Sequence, residues 1–216
     1  MDFSSVFRNL GFLLEASWIT IYLSFISFIF ALIVGTVIGT LRSFKIPYLL
    51  DKVFIIYLEI FRGTPLLIQL FFIYYGLPQV GISMTSYQAA ILGLSLNFGA
   101  YISEIIRSGM NSIDKGQQEA AKSLGMNQRT MLFYILYPQA LRIVLPPLTN
   151  TYAAILKDSS LVSVISITEL TRAGQLIYVR TYEPFEVYLT LGVFYFVMTY
   201  TISLLSKILE KKMNYN

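Results

Sequence analysis

The feature that most constrains this chain is an apolar stretch over residues 17–41, in which 25 successive residues include no charged side chain. A helix of about 20 apolar residues crosses the hydrocarbon core of a bilayer, so this stretch predicts a transmembrane helix. Trp18 at its start is typical of the membrane surface, and Arg42 follows its end. Four more apolar stretches bring the predicted spans to five, at about residues 17–41, 53–77, 87–106, 142–167 and 185–206.

The composition agrees with a chain that lipid solvates. Hydrophobic residues make up 56% of the chain and charged residues 13%, about half of the share that is typical of soluble domains. The absence of cysteine and histidine from the sequence removes thiolate chemistry, the commonest general base and most metal ligands. We therefore expect neither an enzyme nor a metal site, and the charge pattern does not suggest a nucleic-acid partner.

Basic residues are distributed unevenly between the predicted loops. Cytoplasmic loops carry the excess of lysine and arginine, so the loops after the first and third spans and the C-terminal tail are predicted to be cytoplasmic. The N-terminus is then outside and the C-terminus inside. The basic residues on the predicted cytoplasmic side are Arg42, Lys45, Lys52, Arg107, Lys115, Lys122, Arg129, Arg142, Lys207, Lys211 and Lys212.

Residues 1–16 precede the first span and have their apolar side chains on one helical stripe that is too short to cross a membrane. We predict an amphipathic helix in the membrane interface. A cleavable signal peptide is the alternative, but Asp2 stands where a basic start is expected.

The predicted cytoplasmic loop at 112–140 carries several helix signals. Asp114 is a good N-cap for a short helix, and Gly125 is placed to end that helix in the left-handed conformation. Asn127 can cap a second helix, which Pro138 is predicted to bend or end. Small side chains on the first helix would let it lie in a groove of another protein, although an ordinary amphipathic surface helix has the same pattern.

This loop also carries a recognisable motif. Residues 119–125, with the sequence Glu-Ala-Ala-Lys-Ser-Leu-Gly, and residues 135–142 resemble the EAA signature of the permease subunits of bacterial ABC importers. Tyr137 departs from that signature, which has leucine at this position. Other segments resemble the polar amino-acid branch of the family and extend the similarity over nearly the whole chain; they are residues 59–69, 97–109 and 157–165.

The resemblance implies an all-α integral membrane protein with the transmembrane fold of a type I ABC importer, placed in the bacterial cytoplasmic membrane. It implies a second permease subunit, with a homodimer as the simplest case, and an extracellular or periplasmic amino-acid-binding protein. Two ATPase subunits would bind ATP and magnesium, so the chain itself needs no cofactor. The loop would form the coupling helix that docks on the ATPase, through Glu119, Ala120, Ala121, Leu124 and Gly125.

Polar residues follow one face of the third predicted span, where Asn97, Tyr101, Glu104 and Ser108 recur at helical spacing. A carboxylate in a membrane needs a partner or water, so we expect Glu104 to face the protein interior or a translocation path. It would suit a basic amino acid such as arginine, lysine or histidine. Another polar amino acid, such as glutamine, stays open as the substrate.

Structural roles are the alternative for the same residues. Glu104 could pair with Arg107 or Arg62, and the side chains of Asn97 and Tyr101 could form hydrogen bonds between helices.

Two further polar groups interrupt apolar stretches. The first comprises Lys157, Asp158, Ser159 and Ser160, which could bind the zwitterionic end of an amino acid or form an ion pair followed by a serine cap. The second is Glu59 with Arg62, one helical turn apart, which we expect to be a gate or a structural pair. The sequence Gly-Thr-Pro at residues 63–65 then predicts a bend or break.

An ion-gradient-coupled secondary carrier for amino acids is the alternative function, because such carriers also place charged residues within the membrane. Five spans give no inverted halves, and the sequence shows no internal repeat, which argues against this alternative.

Overall fold

The computed structural model describes residues 3–44 and 46–214, without the side chains of residues 209, 210 and 212–214. A short helix α1, Ser4–Arg8, precedes the long helix α2, Leu10–Arg42. The predicted separate helix over residues 1–16 is therefore wrong in its extent. Leu13 and Ala16 already belong to α2, and both are buried in an apolar cluster with side chains from residues 170–191. Residues 1 and 2 of that prediction, and Lys45 and the Lys212 side chain of the basic loops, lie outside the described part.

The second predicted span is bent. Helix α3, Tyr48–Gly63, meets helix α4, Leu66–Phe71, and its continuation through Val80 at an angle of 106°. The continuation contains a π-helical turn, Phe72–Gly76, and a 3-10 turn, Leu77–Val80. Because Pro65 has no backbone N–H, the helix cannot continue its hydrogen bonds through this point, and the predicted break at residues 63–65 is confirmed.

Helix α5, Ser86–Asn111, lies at the centre of the bundle and begins with a capping box formed by Thr85 and Gln88. It packs very closely on α2, since an added Cβ at Gly39 would overlap the backbone carbonyl of Ser103. Glycine is required at this crossing because the two backbones touch. Helices α2 and α5 therefore behave as one packed unit.

The loop after α5 forms helix α6, Lys115–Ser123, and helix α7, Gln128–Met131. A π-helical turn, Leu132–Leu136, leads into helix α8, Tyr137–Asp158, and a 3-10 turn, Ser159–Ile165, follows. Pro138 was predicted to bend or end a helix here, but the helical course runs on from Gln128 to Ile165. The wider π turn precedes the proline and accommodates its missing donor.

Helix α9, Leu170–Thr181, packs between α2 and the last helix α10, Pro184–Asn214. Four helices of the described chain are long and apolar enough to cross a membrane, and counting the bent pair of α3 with α4 and its continuation as one broken span brings the number to five. This agrees with the all-α membrane fold of five spans. Most buried apolar side chains lie in one cluster around α5, so that helix forms the core against which the functional side chains are held.

Candidate functional site

A cavity of about 1030 Å³ lies between the break after α3, the middle of α5 and helix α8. This volume is at the upper end of the range of about 300–1,000 Å³ for small-molecule pockets. One wall is formed by α5 and the break, and the opposite wall by α8. The predicted residues that line the cavity are Arg62, Asn97, Tyr101, Glu104, Ser108 and Asp158.

Asn97 is buried and engaged in holding the break. Pro65 cannot donate to the carbonyl of Phe61 four residues earlier, and that oxygen instead accepts from the Asn97 Nδ2 at 2.8 Å and the Gln69 Nε2 at 3.0 Å. Asn97 also donates to the Gln69 Oε1 at 3.0 Å, and Gln69 donates to the carbonyl of Thr64. The alternative of a hydrogen bond between helices is therefore confirmed for Asn97. Sequence reasoning missed Gln69, although a lone amide in an apolar run four residues after a proline was an available signal.

Glu104 is held by two arginines. Its carboxylate lies 2.8 Å from Arg42 Nη1 and 2.7 Å from Arg107 Nη2, and Arg42 also pairs with Asp51 at 2.9 Å. The structural pair with Arg107 is confirmed, whereas Arg62 is not the partner. Arg42 was missed because it precedes Glu104 by 62 positions, and no local spacing links them. The carboxylate borders the cavity, but its charge is already compensated.

Arg62 does not pair with Glu59, contrary to the prediction. Among the described residues, no ion pair within 4.0 Å joins these two side chains. The guanidinium instead lies over the ring of Tyr101, 5.6 Å from its centroid, and lines the cavity. Arg62 is in the last turn of α3, and the break directs the chain away immediately after it, so its side chain reaches α5. A cation over an aromatic face is an attractive arrangement that leaves hydrogen-bond donors available.

The four polar residues at the end of α8 do not form one site. Asp158 lines the cavity and is partly buried, whereas Lys157 is exposed and, like Ser160, does not line it. Ser159 is fully buried and donates to the carbonyl of Leu156. Successive residues of a helix point about 100° apart, which separates the predicted set. Within the described chain, no side-chain hydrogen bond or ion pair within 4.0 Å engages the Asp158 carboxylate.

A second site is the segment of residues 114–125, which we call the docking segment. Asp114 caps α6 by accepting from the backbone N–H of Gly116 at 2.6 Å. Gly125 has φ of +75°, and the N–H groups of Gly125 and Met126 donate to the carbonyls of Lys122 and Ala121. These two bonds form a Schellman motif, so the predicted glycine end of the helix is confirmed.

The docking segment presents only part of the predicted contact set. Leu124 is 78% exposed, and Glu119, Ala120 and Gly125 are exposed as well. Ala121 is only 1% exposed because it packs into the apolar cluster of its own chain, so its expected contact with a partner is wrong. Glu119, Ala120, Leu124 and Gly125 are therefore the members of the predicted set that a partner could reach.

Comparison with known proteins identifies the family to which the chain is similar. Residues 31–215 match the family described as binding-protein-dependent transport system inner membrane component. The chain is 39% identical over 215 residues to the probable glutamine ABC transporter permease protein GlnP of Bacillus subtilis (strain 168), covering 97% of this chain and 98% of that protein. It is 36% identical to the arginine transport system permease protein ArtQ of the same organism, covering 100% and 99%. A solved amino acid ABC transporter with histidines has a TM-score of 0.90 at 37% identity, covering 98% and 99%.

Proposed function

We propose that this chain, which belongs to the family of binding-protein-dependent transport system inner membrane components, carries a basic amino acid through its cavity. Membership makes the chain a membrane permease of an amino-acid ABC importer and not the ATPase. Such a permease works with ATPase subunits and a binding protein, which favours ATP-driven import over an ion-gradient-coupled carrier.

The open carboxylate of Asp158 is the observation that carries the substrate proposal. An ionisable group within a membrane span is costly unless it is paired or wetted, so a carboxylate in a cavity wall without a protein partner invites a cationic ligand. Because Arg42 and Arg107 already compensate the charge of Glu104, the open charges of the lining are the positive Arg62 and the negative Asp158. A basic amino acid has an α-carboxylate for the first and a cationic group for the second.

Arg62 supplies the second half of the recognition. Its guanidinium can hold a carboxylate through two parallel hydrogen bonds, and its position over Tyr101 keeps it directed at the cavity. A substrate with its α-carboxylate on Arg62 would place a positive group toward Asp158. The relatives named for arginine and glutamine support a polar amino acid, and glutamine is the competing substrate.

The remaining parts of the assembly follow the same proposal. The docking segment would contact the ATPase, which would bind ATP and magnesium, and a second copy of this chain would close the translocation path. The excess of basic residues supports a cytoplasmic face that contains the docking segment and the C-terminus. The N-terminus would then lie outside the bacterial inner membrane.

Reconstitution with the cognate ATPase and binding protein tests the substrate proposal. Arginine, lysine, histidine, glutamine and glutamate would compete for ATP-dependent uptake, and we expect the basic amino acids to compete best. Asp158→Asn should lower arginine uptake about tenfold or more, since a charge-assisted contact is lost. Glu15→Gln removes an exposed carboxylate outside the cavity and serves as the matched control.

Two results would contradict the proposal. Unchanged arginine uptake by Asp158→Asn would show that this carboxylate does not bind substrate. Stronger competition by glutamine than by arginine would assign the permease to a neutral amino acid.

A further inference from the structure

Tyr137 is the position at which the chain departs from the EAA signature, and neither the cavity nor the docking segment uses its side chain. The Tyr137 hydroxyl lies 2.9 Å from the hydroxyl of Thr40, which precedes it by 97 positions. Thr40 is 7% exposed and lies in the last turn of α2. The leucine of the signature has no hydroxyl and could not form this bond.

We propose that Tyr137 is a positioning residue whose hydrogen bond to Thr40 passes movement of the docking segment to α2. The inference rests on the proposed function, in which the docking segment binds the ATPase and moves with it. Tyr137 is suited to the role because it is the first residue of α8, directly after the π turn that connects α8 to the docking segment through α7. Its ring also packs edge-on against Phe133 in that π turn, with ring centroids 5.4 Å apart.

Beyond Thr40 the contacts lead to the cavity wall. Two residues further along α2, Arg42 binds Glu104 of α5 and Asp51 of α3. The backbone of α2 also touches that of α5 at Gly39, one residue before Thr40, where an added Cβ would overlap the Ser103 carbonyl. A displacement of Thr40 therefore moves the wall that carries Glu104 and does not remain local.

The covalent route through α8 is less suited to carry this movement. Pro146 and Pro147 lie inside α8, between Tyr137 and Asp158, and each removes a backbone hydrogen bond from the helix. Interruptions of this kind are where helices bend. The Tyr137–Thr40 bond lies on the docking-segment side of both prolines, so it transfers a displacement sideways before α8 can absorb it.

The test is the number of substrate molecules imported per ATP hydrolysed, measured on the complete transporter in proteoliposomes. We expect Tyr137→Phe and Thr40→Val each to lower this ratio about fivefold, at the lower end of common coupling effects, while ATP hydrolysis continues. The double variant should be no worse than either single one, because both remove the same bond. Tyr134→Phe is the matched control, since Tyr134 lies three residues earlier and is 78% exposed.

The ratio separates coupling from folding. If hydrolysis and import fall together so that the ratio is unchanged, or if the losses of the single variants add, the inference is overturned while the proposed function stands. If the wild-type complex shows no ATP-dependent uptake, the proposed function fails and this inference fails with it. Tyr137→Leu, which restores the signature, should behave as Tyr137→Phe does.

Discussion

Two parts of this molecule treat their polar side chains in opposite ways. In the wall formed by α5 and the break, Asn97 and Glu104 have their hydrogen-bonding groups engaged by other residues of the chain. At the end of α8 the carboxylate of Asp158 stays open, and on the docking segment Glu119 and Leu124 are exposed. A satisfied polar group braces the fold, whereas an open one is available to a ligand or partner. Helical spacing alone did not distinguish these two uses.

The largest effect on import is expected for an exposed polar side chain on the docking segment, at the proposed contact with the ATPase. Glu119→Lys reverses an exposed charge on the docking segment; under the proposed function this segment contacts the ATPase, so the variant should abolish ATP-driven import by introducing the opposite charge into that contact. Thermal unfolding of the purified variant should match the wild type, since exposed substitutions change stability little. Import at the normal rate would remove Glu119 from the contact.

Substitution of a polar side chain that is paired within the chain should lower stability instead. Glu104→Gln removes the ion pair of Arg107 and leaves Arg42 with Asp51 alone, and we expect the free energy of unfolding to fall by about 2 kcal/mol. Uptake of arginine and glutamine, normalised to folded protein, should change equally. A selective loss of arginine uptake would instead show that Glu104 binds substrate. Pairing within the chain would then not distinguish structural residues from ligands.

A smaller loss is expected at the break. Asn97→Leu removes one of the two side-chain donors to the Phe61 carbonyl and should lower the free energy of unfolding by about 1–2 kcal/mol. Asn150→Leu is the matched control, because Asn150 also lines the cavity but is exposed. Denaturation of both variants in the same detergent gives the difference, and equal losses would show that Asn97 does not hold the break.

The smallest effect on stability is expected for a substitution that only strains the backbone of one glycine. Gly125→Ala forces a side chain into the left-handed region and should reduce stability by about 1 kcal/mol. Gly81→Ala provides the control, because Gly81 has φ of +87° and an added Cβ at either glycine meets no atom within 4 Å. Both variants should lose similar stability, whereas only Gly125→Ala should reduce import. Equal import by the two variants would show that the glycine end of α6 is not needed for docking.

Local chemistry made the main outlines of the fold predictable. Lipid requires long apolar helices, so hydropathy located the spans, and Pro65 located the break because its missing donor acts on its own helix. Contacts between helices were not predictable in the same way. The spacing of polar residues along α5 placed Glu104 on a polar face but could not identify Arg42 as its partner. The pattern of α6 likewise could not show that Ala121 would pack against its own chain. These outcomes depend on which helices pack together, and a single sequence does not record that.

The π turn over Leu132–Leu136 has a consequence for the rotational phase of the helix after it. Such a turn adds one residue to a helix without adding a full α-helical turn, so every side chain downstream is rotated by about 100°. Deleting one residue from the turn would swing Val144 away from Gly109 of α5, where it now fits, and would carry Asp158 out of the cavity wall. A single extra residue in this turn thus decides which side of α8 faces α5 and the cavity.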